Sequence, residues 1–113
     1  MGTRFSGYER RPLDFYETPT WVTQALLRRV NVCGTVWEPA CGGGKIVRAL
    51  APRNILATDI VSGYDFLEDK HVYPIFDWIV TNPPFGQGGR VAHSFIRKAL
   101  DHHANGVAML LSG

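Results

Sequence analysis

The sequence lacks the features that mark membrane, disulfide-stabilised and metal-binding proteins. Its 113 residues contain no apolar run of membrane-spanning length. The N-terminus is polar and has no apolar core of a signal peptide, so we expect a cytoplasmic protein without a membrane partner. Cysteine occurs only at Cys33 and Cys41, outside any CxxC pair, which disfavours a disulfide framework. None of the four histidines has metal-ligand spacing to acids or cysteines, so we predict no metal site.

A large charge of one sign is also missing. The formal net charge is +2, and the proportions of charged (19%) and hydrophobic (45%) residues are those of a globular domain. This charge is compatible with a nucleic-acid partner but does not argue for one. Arg90, Arg97 and Lys98 are interpreted as a solvated helix face, with contact to a nucleic-acid backbone as the alternative. The length suits one domain, which we assign to residues 1–113 with a loose arm at 1–14.

Helical and extended segments alternate along the chain, which predicts an α/β fold. Thr18 is expected to be the N-cap of the first helix, with Pro19 in its first turn. The predicted helices cover residues 20–30, 45–50 and 90–103. The predicted strands cover residues 35–38, 54–60, 64–67, 76–81 and 106–111. We therefore expect a mostly parallel sheet of about five strands with helices on both faces.

Polar side chains stand at the ends of three predicted strands. Glu38 closes the first strand, Asp59 the second and Asn82 the strand over 76–81. In parallel sheets, ligands bind outside the carboxyl ends of the strands, where the strand order reverses. The sequence therefore predicts a ligand site at this edge of the sheet.

A glycine-rich turn follows Glu38 at residues 39–44. Glycine lets the backbone approach a ligand where a side chain would collide. The turn is not a phosphate-binding P-loop, because no hydroxyl residue follows Lys45, and Val47 breaks the GxGxxG spacing. An acid at its mouth disfavours a pyrophosphate and favours a cationic ligand. A tight turn without a ligand is the alternative interpretation.

Two further motifs fit parts of a nucleoside. Asp59 is placed to accept hydrogen bonds from a ribose diol, with a solvated loop carboxylate as the alternative. Asp65 and Phe66 suit the amino group and the ring face of an adenine. The alternative for that pair is a core phenylalanine beside a turn aspartate.

The segment from Asn82 to Phe85 is the most specific feature. Two consecutive prolines fix the backbone after a strand and remove two amide donors, and they hold Asn82 extended. The side-chain carbonyl of Asn82 and the nearby backbone carbonyls then form a rigid group of acceptors, with Phe85 as a stacking surface. Such acceptors would hold both hydrogens of a planar exocyclic amine and aim its lone pair at a sulfonium methyl group. A proline-stiffened loop is the alternative.

Together these segments resemble the S-adenosylmethionine-dependent amino-methyltransferases with an Asn-Pro-Pro-aromatic motif, which include adenine-N6 enzymes of DNA and RNA. The segments that carry the resemblance are residues 15–19, 38–44, 57–59, 65–67 and 81–85. It implies a Rossmann-like class I methyltransferase sheet, S-adenosyl-L-methionine as the cofactor and nucleic acid (DNA or RNA) as the substrate. A target base in a duplex would first have to leave the base stack.

The resemblance also implies roles for single residues. The Asn82 amide oxygen and the Pro83 carbonyl would hold the target amine, and Pro84 and Phe85 complete the catalytic motif, with the Phe85 ring stacked on the target. The implied cofactor contacts are Tyr16, Thr18, Pro19, Glu38, Pro39, Ala40, Gly42, Gly44, Asp59, Ile60, Asp65 and Phe66.

One departure concerns the C-terminal part of the fold. Members of this family continue past the fifth strand into a two-strand extension, whereas this sequence stops at Gly113. We therefore expect a fragment, or a partner that supplies the rest, and self-association through the exposed edge of the last strand.

Other functions compete with adenine methylation. A protein-glutamine N-methyltransferase also acts on a planar NH2 group, and a non-catalytic cofactor-binding or nucleic-acid-binding module would keep the same motifs. A cytosine-C5 methyltransferase is disfavoured, because it needs a cysteine nucleophile and none stands near Pro83 in the sequence. A dinucleotide oxidoreductase is the most distant alternative.

Overall fold

The computed structural model describes residues 17–68, 74–102 and 105–111. The helices are α1 (Thr20–Arg29), α2 (Lys45–Leu50) and α3 (Arg90–His102). The strands are β1 (Thr35–Glu38), β2 (Asn54–Ala57), β3 (Trp78–Thr81) and β4 (Gly106–Met109). Single 3₁₀ turns follow β2 at Ile60–Ser62 and precede α3 at Gln87–Gly89. The predicted arm at 1–14 and the predicted cofactor contact Tyr16 lie outside the described residues.

The four strands form one parallel sheet in the order β2-β1-β3-β4. After β1 the chain adds β2 on one side and then crosses over to place β3 on the other. The strand order therefore reverses between β1 and β3, and open α/β sheets bind their ligands outside the carboxyl ends at such a point. The parallel α/β sheet is confirmed, with four strands described where about five were predicted.

Helices cover both faces of this sheet, as predicted. Successive residues of a strand point to opposite faces of the sheet, so alternate side chains of each strand pack into two different cores. On one face Trp37 and Ile79 pack with Phe95 of α3. On the other face Val36 and Val80 pack with the apolar sides of α1 and α2. No helix among the described residues is long and apolar enough to cross a membrane.

The start of α1 differs from the prediction. Pro19, not Thr18, occupies the N-cap position, with φ −57° and ψ 143°, and no side chain caps the helix. The prediction of Thr18 as the N-cap is wrong, because the extended ψ of Pro19 delays the first helical residue to Thr20. Thr18 is buried instead, with 5% of its surface exposed.

The chain after β2 also differs from the prediction. β2 ends at Ala57, because the Asp59 carboxylate accepts the N–H of Val61 at 3.1 Å and starts a 3₁₀ turn. The predicted strand over 64–67 is wrong. Asp65 closes a turn there by accepting the N–H of Leu67 at 2.9 Å. β3 and β4 are each two residues shorter than predicted.

Asp77 aligns the starts of three strands at the opposite, amino-terminal edge of the sheet. Its carboxylate accepts the N–H of Thr35 at 2.8 Å, its own N–H donates to the Thr35 carbonyl, and its carbonyl accepts the N–H of Asn105. Gly34 has φ +84°, and a Cβ at this position would lie 2.1 Å from the Asp77 carboxylate. The register of β1 against β3 therefore depends on a glycine at position 34.

Candidate functional site

A buried hydrogen bond joins the carboxyl ends of β1 and β3. The Thr81 hydroxyl donates to Glu38 Oε1, and the backbone N–H of Ala40 donates to the same oxygen at 2.8 Å. Glu38 is 1% exposed and Thr81 is fully buried. A carboxylate so far from water needs such donors, because burying it without them is costly. Glu38 therefore fixes where the chain leaves β1 relative to where it leaves β3.

The glycine-rich turn after β1 is held against the end of β2. Asp59 Oδ1 accepts the N–H of Gly42 at 3.1 Å, while its second oxygen accepts the N–H of Val61. The N–H of Cys41 donates to the Thr58 carbonyl at 2.9 Å. The structure thus brings together two predicted site residues, Gly42 and Asp59, that are seventeen positions apart in the sequence.

The turn uses backbone conformations that favour glycine. Gly42 has φ +51° and Gly44, at the N-cap of α2, has φ +92°. Such positive φ values are strained for residues with a Cβ. The Arg48 guanidinium donates to the Gly43 carbonyl at 2.9 Å and fixes the outer side of the turn.

Glu17 contacts this turn and was not among the predicted site residues. Its carboxylate accepts the N–H of Lys45 at 3.4 Å, and a Cβ added to Gly43 would lie 2.7 Å from the same oxygen. The contact places Thr18 and Pro19, two predicted cofactor contacts, at the carboxyl edge of the sheet. Glu17 stands beside them in the sequence, but no spacing singles it out, because its contact with Gly43 depends on how α1 folds back.

The Asn-Pro-Pro-Phe segment begins where the pairing of β3 ends. The Thr81 carbonyl still accepts the N–H of Leu110 at 2.9 Å. For the Pro83 carbonyl, no hydrogen bond is found within the described part of the chain. Both prolines are buried, Asn82 is half-buried and Phe85 is 56% exposed. The segment therefore presents carbonyl groups and an aromatic ring beside the ends of β1 and β3.

The ring of Phe85 packs against the turn that follows it. The Phe85 carbonyl accepts the N–H of Gly89 at 2.9 Å. A Cβ on Gly89, whose φ is +93°, would lie 3.3 Å from the ring. Gln87 and Gly88 also have positive φ values, of 58° and 68°. The turn thus supports the ring closely and leaves much of its surface open to a planar partner.

Asp65 and Phe66 have the geometry of the alternative interpretation, a core phenylalanine beside a turn aspartate. The Phe66 ring is fully buried, with its centroid 5.2 Å from that of Trp37 and 4.8 Å from that of Phe95. Ile60 is half-buried and packs against the same core. Contacts of these three residues with a cofactor adenine stay predictions.

Comparison with known proteins assigns no family. No family model, curated protein or solved structure matches this chain. The described residues also contain no group of three or more histidine, cysteine or acidic side chains that could hold a metal ion.

The electrostatics of the turn favour a positively charged ligand. The carboxylates of Glu17, Glu38 and Asp59 each accept a backbone N–H at or beside residues 39–45. The negative charge of these carboxylates attracts a cation and repels a pyrophosphate at this range. The arrangement can hold a cationic ligand at the ends of β1 and β2, within reach of the acceptor groups after β3.

Proposed function

We propose that this chain is the S-adenosylmethionine-binding and catalytic core of a methyltransferase that acts on exocyclic amino nitrogens, with adenine N6 in nucleic acid as the leading target. One observation carries the proposal. The segment Asn82–Phe85 leaves β3 at the point where the strand order reverses, and the hydrogen bond from Thr81 to Glu38 ties it to the glycine-rich turn after β1. A rigid set of amine acceptors therefore stands beside a turn suited to a cationic ligand.

The residues present fit such a cofactor. Gly42 and Gly44 give the turn backbone conformations that most residues avoid, and as glycines they have no side chain to obstruct a ligand. Glu38 and the turn would line the methionine part, and Asp59 would bind the ribose. When bound, S-adenosylmethionine would supply an electrophilic methyl group on a sulfonium. The four parallel strands support, at a coarser level, the Rossmann-like class I methyltransferase sheet that we propose for the complete fold.

The acceptor groups after β3 define the chemistry of the target. The Asn82 amide oxygen and the Pro83 carbonyl would each accept one hydrogen of an NH2 group. Holding both hydrogens takes the nitrogen out of conjugation and directs its lone pair toward the methyl group, so the chain contributes positioning and fixed dipoles. As the C–N bond formed, the S–CH3 bond would break and leave a neutral thioether, and the methylated amine, acidic at that point, would pass its extra proton to water, so no strong base would be required.

The exposed ring of Phe85 favours a nucleobase over an amide side chain. A planar base offers a face of matching size for stacking, worth about 1–3 kcal/mol per base in proteins that bind single strands. A glutamine side chain has no such face. The 56% exposure of Phe85, on a turn that supports its other side, is what a stacking surface requires.

Two measurements on the same protein test this function. Calorimetric titration with S-adenosylmethionine is expected to show saturable binding at one site. Transfer of a labelled methyl group is then followed to DNA, RNA and glutamine-containing protein, and we expect the label in nucleic acid. Label in glutamine would favour the protein-directed alternative, and binding without transfer would favour a non-catalytic module. Binding of NAD in place of S-adenosylmethionine would overturn the cofactor assignment.

A further inference from the structure

Helices α1 and α2 form a continuous surface on one side of the sheet. They pack against each other, and both bury their apolar sides in the core that contains Val36 and Val80. Their other sides are exposed to solvent. We call these exposed residues the α1–α2 surface: Trp21, Arg28, Arg29, Lys45 and Arg48.

The charged residues of helices α1 and α2 are all basic. The two helices contain four basic residues and no acidic one, whereas the whole chain has a net charge of only +2. Within the described residues, Arg28, Arg29 and Lys45 form no ion pair. Arg48 donates to a neutral backbone carbonyl and likewise forms no ion pair among the described residues. The Glu17 carboxylate near Lys45 offsets part of this charge, and the excess of positive charge that remains on this face is the electrostatic footprint of a polyanion-binding surface.

A large aromatic side chain lies at the end of the surface nearest the candidate site. Trp21 is 67% exposed. It lies in the first turn of α1, close in the sequence to Glu17, which contacts the glycine-rich turn at Lys45 and Gly43. Arg28 follows seven residues later on the same side of the helix, about 10 Å along its axis. The aromatic ring and the basic groups therefore form a stripe that leads away from the site.

From this arrangement we infer that the α1–α2 surface binds a single-stranded nucleic acid. Trp21 stacks on an unpaired base, and the four basic side chains contact phosphates. A single strand is the partner because a free indole needs a base whose face is exposed, and base faces are covered in a duplex. The inference rests on the proposed function, since it describes how the strand that carries the target amine would approach Phe85.

The test separates stacking from charge. Binding of fluorescently labelled single-stranded DNA and RNA is measured by anisotropy over a range of salt concentrations, without S-adenosylmethionine. Trp21→Ala is expected to weaken binding about tenfold without changing the salt dependence, and Trp21→Phe to restore most of the loss. Replacing both Arg28 and Arg29 by alanine is expected to lower the slope of log affinity against log salt by about 1.4, because each phosphate contact on a single strand contributes about 0.7.

Arg97 gives the matched control for charge. It is exposed on α3, on the opposite face of the sheet, so Arg97→Ala removes one positive charge from the other side of the molecule, against the two removed with Arg28 and Arg29. We expect it to leave the slope unchanged. A fall in slope of about 0.7 for Arg97→Ala, the same per charge as for Arg28 and Arg29, would overturn the inference. Unchanged affinity for Trp21→Ala or tighter binding of duplex than of single strand would also overturn it. So would binding to anionic phosphatidylserine vesicles but not to oligonucleotides. Retained binding without methyl transfer would contradict the proposed function and leave this inference standing.

Discussion

At the scale of single residues, the proposed chemistry depends most on Asn82. Its amide oxygen is one of two acceptors for the target amine, and removing one such preorganised group from an active site costs about 10²-fold in rate. We predict that Asn82→Ala lowers the methyl-transfer rate by about that factor and leaves S-adenosylmethionine affinity unchanged. Single-turnover transfer and calorimetry measure the two effects.

Asn54 provides the control for this substitution. It is exposed at the amino end of β2, where its side chain donates to the Thr35 hydroxyl at 3.3 Å, at the far edge of the sheet. Asn54→Ala should leave the transfer rate unchanged. Equal rates for the two variants would show that Asn82 does not hold the target.

Gly89 and Gly88 form a matched pair for the position of the Phe85 ring. Both have positive φ, so alanine at either costs about 1–2 kcal/mol of backbone strain. Only at Gly89 would the new Cβ meet the ring, at 3.3 Å, because nothing lies within 4 Å of a Cβ on Gly88. We predict that Gly89→Ala weakens target binding and Gly88→Ala does not, at similar stability. KM for the nucleic-acid substrate is the measurement, and similar KM values would argue against a role for the ring.

Thr81 and Thr23 test the link between β1 and β3. Both are fully buried, but the Thr81 hydroxyl donates to the Glu38 carboxylate whereas the Thr23 hydroxyl has no hydrogen-bond partner in the described structure. Thr81→Val should lower the free energy of unfolding by about 1.5–3 kcal/mol, because a buried carboxylate loses a donor. Thr23→Val should be neutral or stabilising. Urea denaturation compares them, and equal losses would mean that the bond to Glu38 contributes nothing specific.

At the scale of secondary-structure elements, the amino-terminal edge of the sheet depends on the approach of Gly34 to Asp77. Gly34 and Gly63 both have positive φ, near 84° and 96°, but only a Cβ on Gly34 would overlap the Asp77 carboxylate. Gly34→Ala should therefore cost about 1.5–3 kcal/mol more than Gly63→Ala, since it displaces the acceptor of the Thr35 N–H. Urea midpoints of the two variants that coincide would contradict this account of the strand register.

The extents of the elements show what local sequence determines. β1 and α2 match the prediction at both ends, and their C-terminal ends were predictable because Pro39 and Pro52 stop regular structure close by. The absence of a strand over 64–67 was not predictable in this way. Phe66 and Tyr64 look like strand residues, but their burial comes from packing on Trp37 across a turn that Asp65 closes.

The candidate site was predictable in part, from the positions of its residues relative to the predicted strands. Glu38, Asp59 and Asn82 stand directly at strand ends, so the rule that carboxyl ends of parallel strands share an edge brings them together. The partners of these residues were not predictable. The hydrogen bonds from Thr81 to Glu38 and from Gly42 to Asp59, and the contact of Glu17 with the turn, all depend on tertiary packing between distant segments.

At the scale of the whole molecule, the sheet separates two surfaces of different character. Helices α1 and α2 have four basic residues and no acidic one, whereas α3 has three basic residues and Asp101, so the first surface has the larger positive charge. The α1–α2 surface approaches the carboxyl edge of the sheet at Glu17, which contacts the glycine-rich turn, and Phe85 is exposed after β3 at the same edge. A strand bound to the inferred surface is therefore expected to approach the proposed chemical site from this edge.

The outer edge of β4 suggests association between molecules. In the described sheet β4 pairs with β3 alone, and Leu100 and Leu111 nearby are more than half exposed. Unpaired, apolar sheet edges favour pairing with another chain. We predict that sedimentation velocity shows mass rising with protein concentration. A strictly monomeric profile at high concentration would contradict this prediction.

Methyl transfer to adenine tests the central claim most directly. The protein is incubated with isotopically labelled S-adenosylmethionine and a single-stranded oligonucleotide that contains adenine, and the nucleic acid is then digested to nucleosides and analysed by mass spectrometry. The account predicts labelled N6-methyladenosine or its deoxy form from the wild-type protein, and a loss of about 10²-fold with Asn82→Ala. The absence of labelled N6-methyladenine at saturating cofactor and substrate would contradict it.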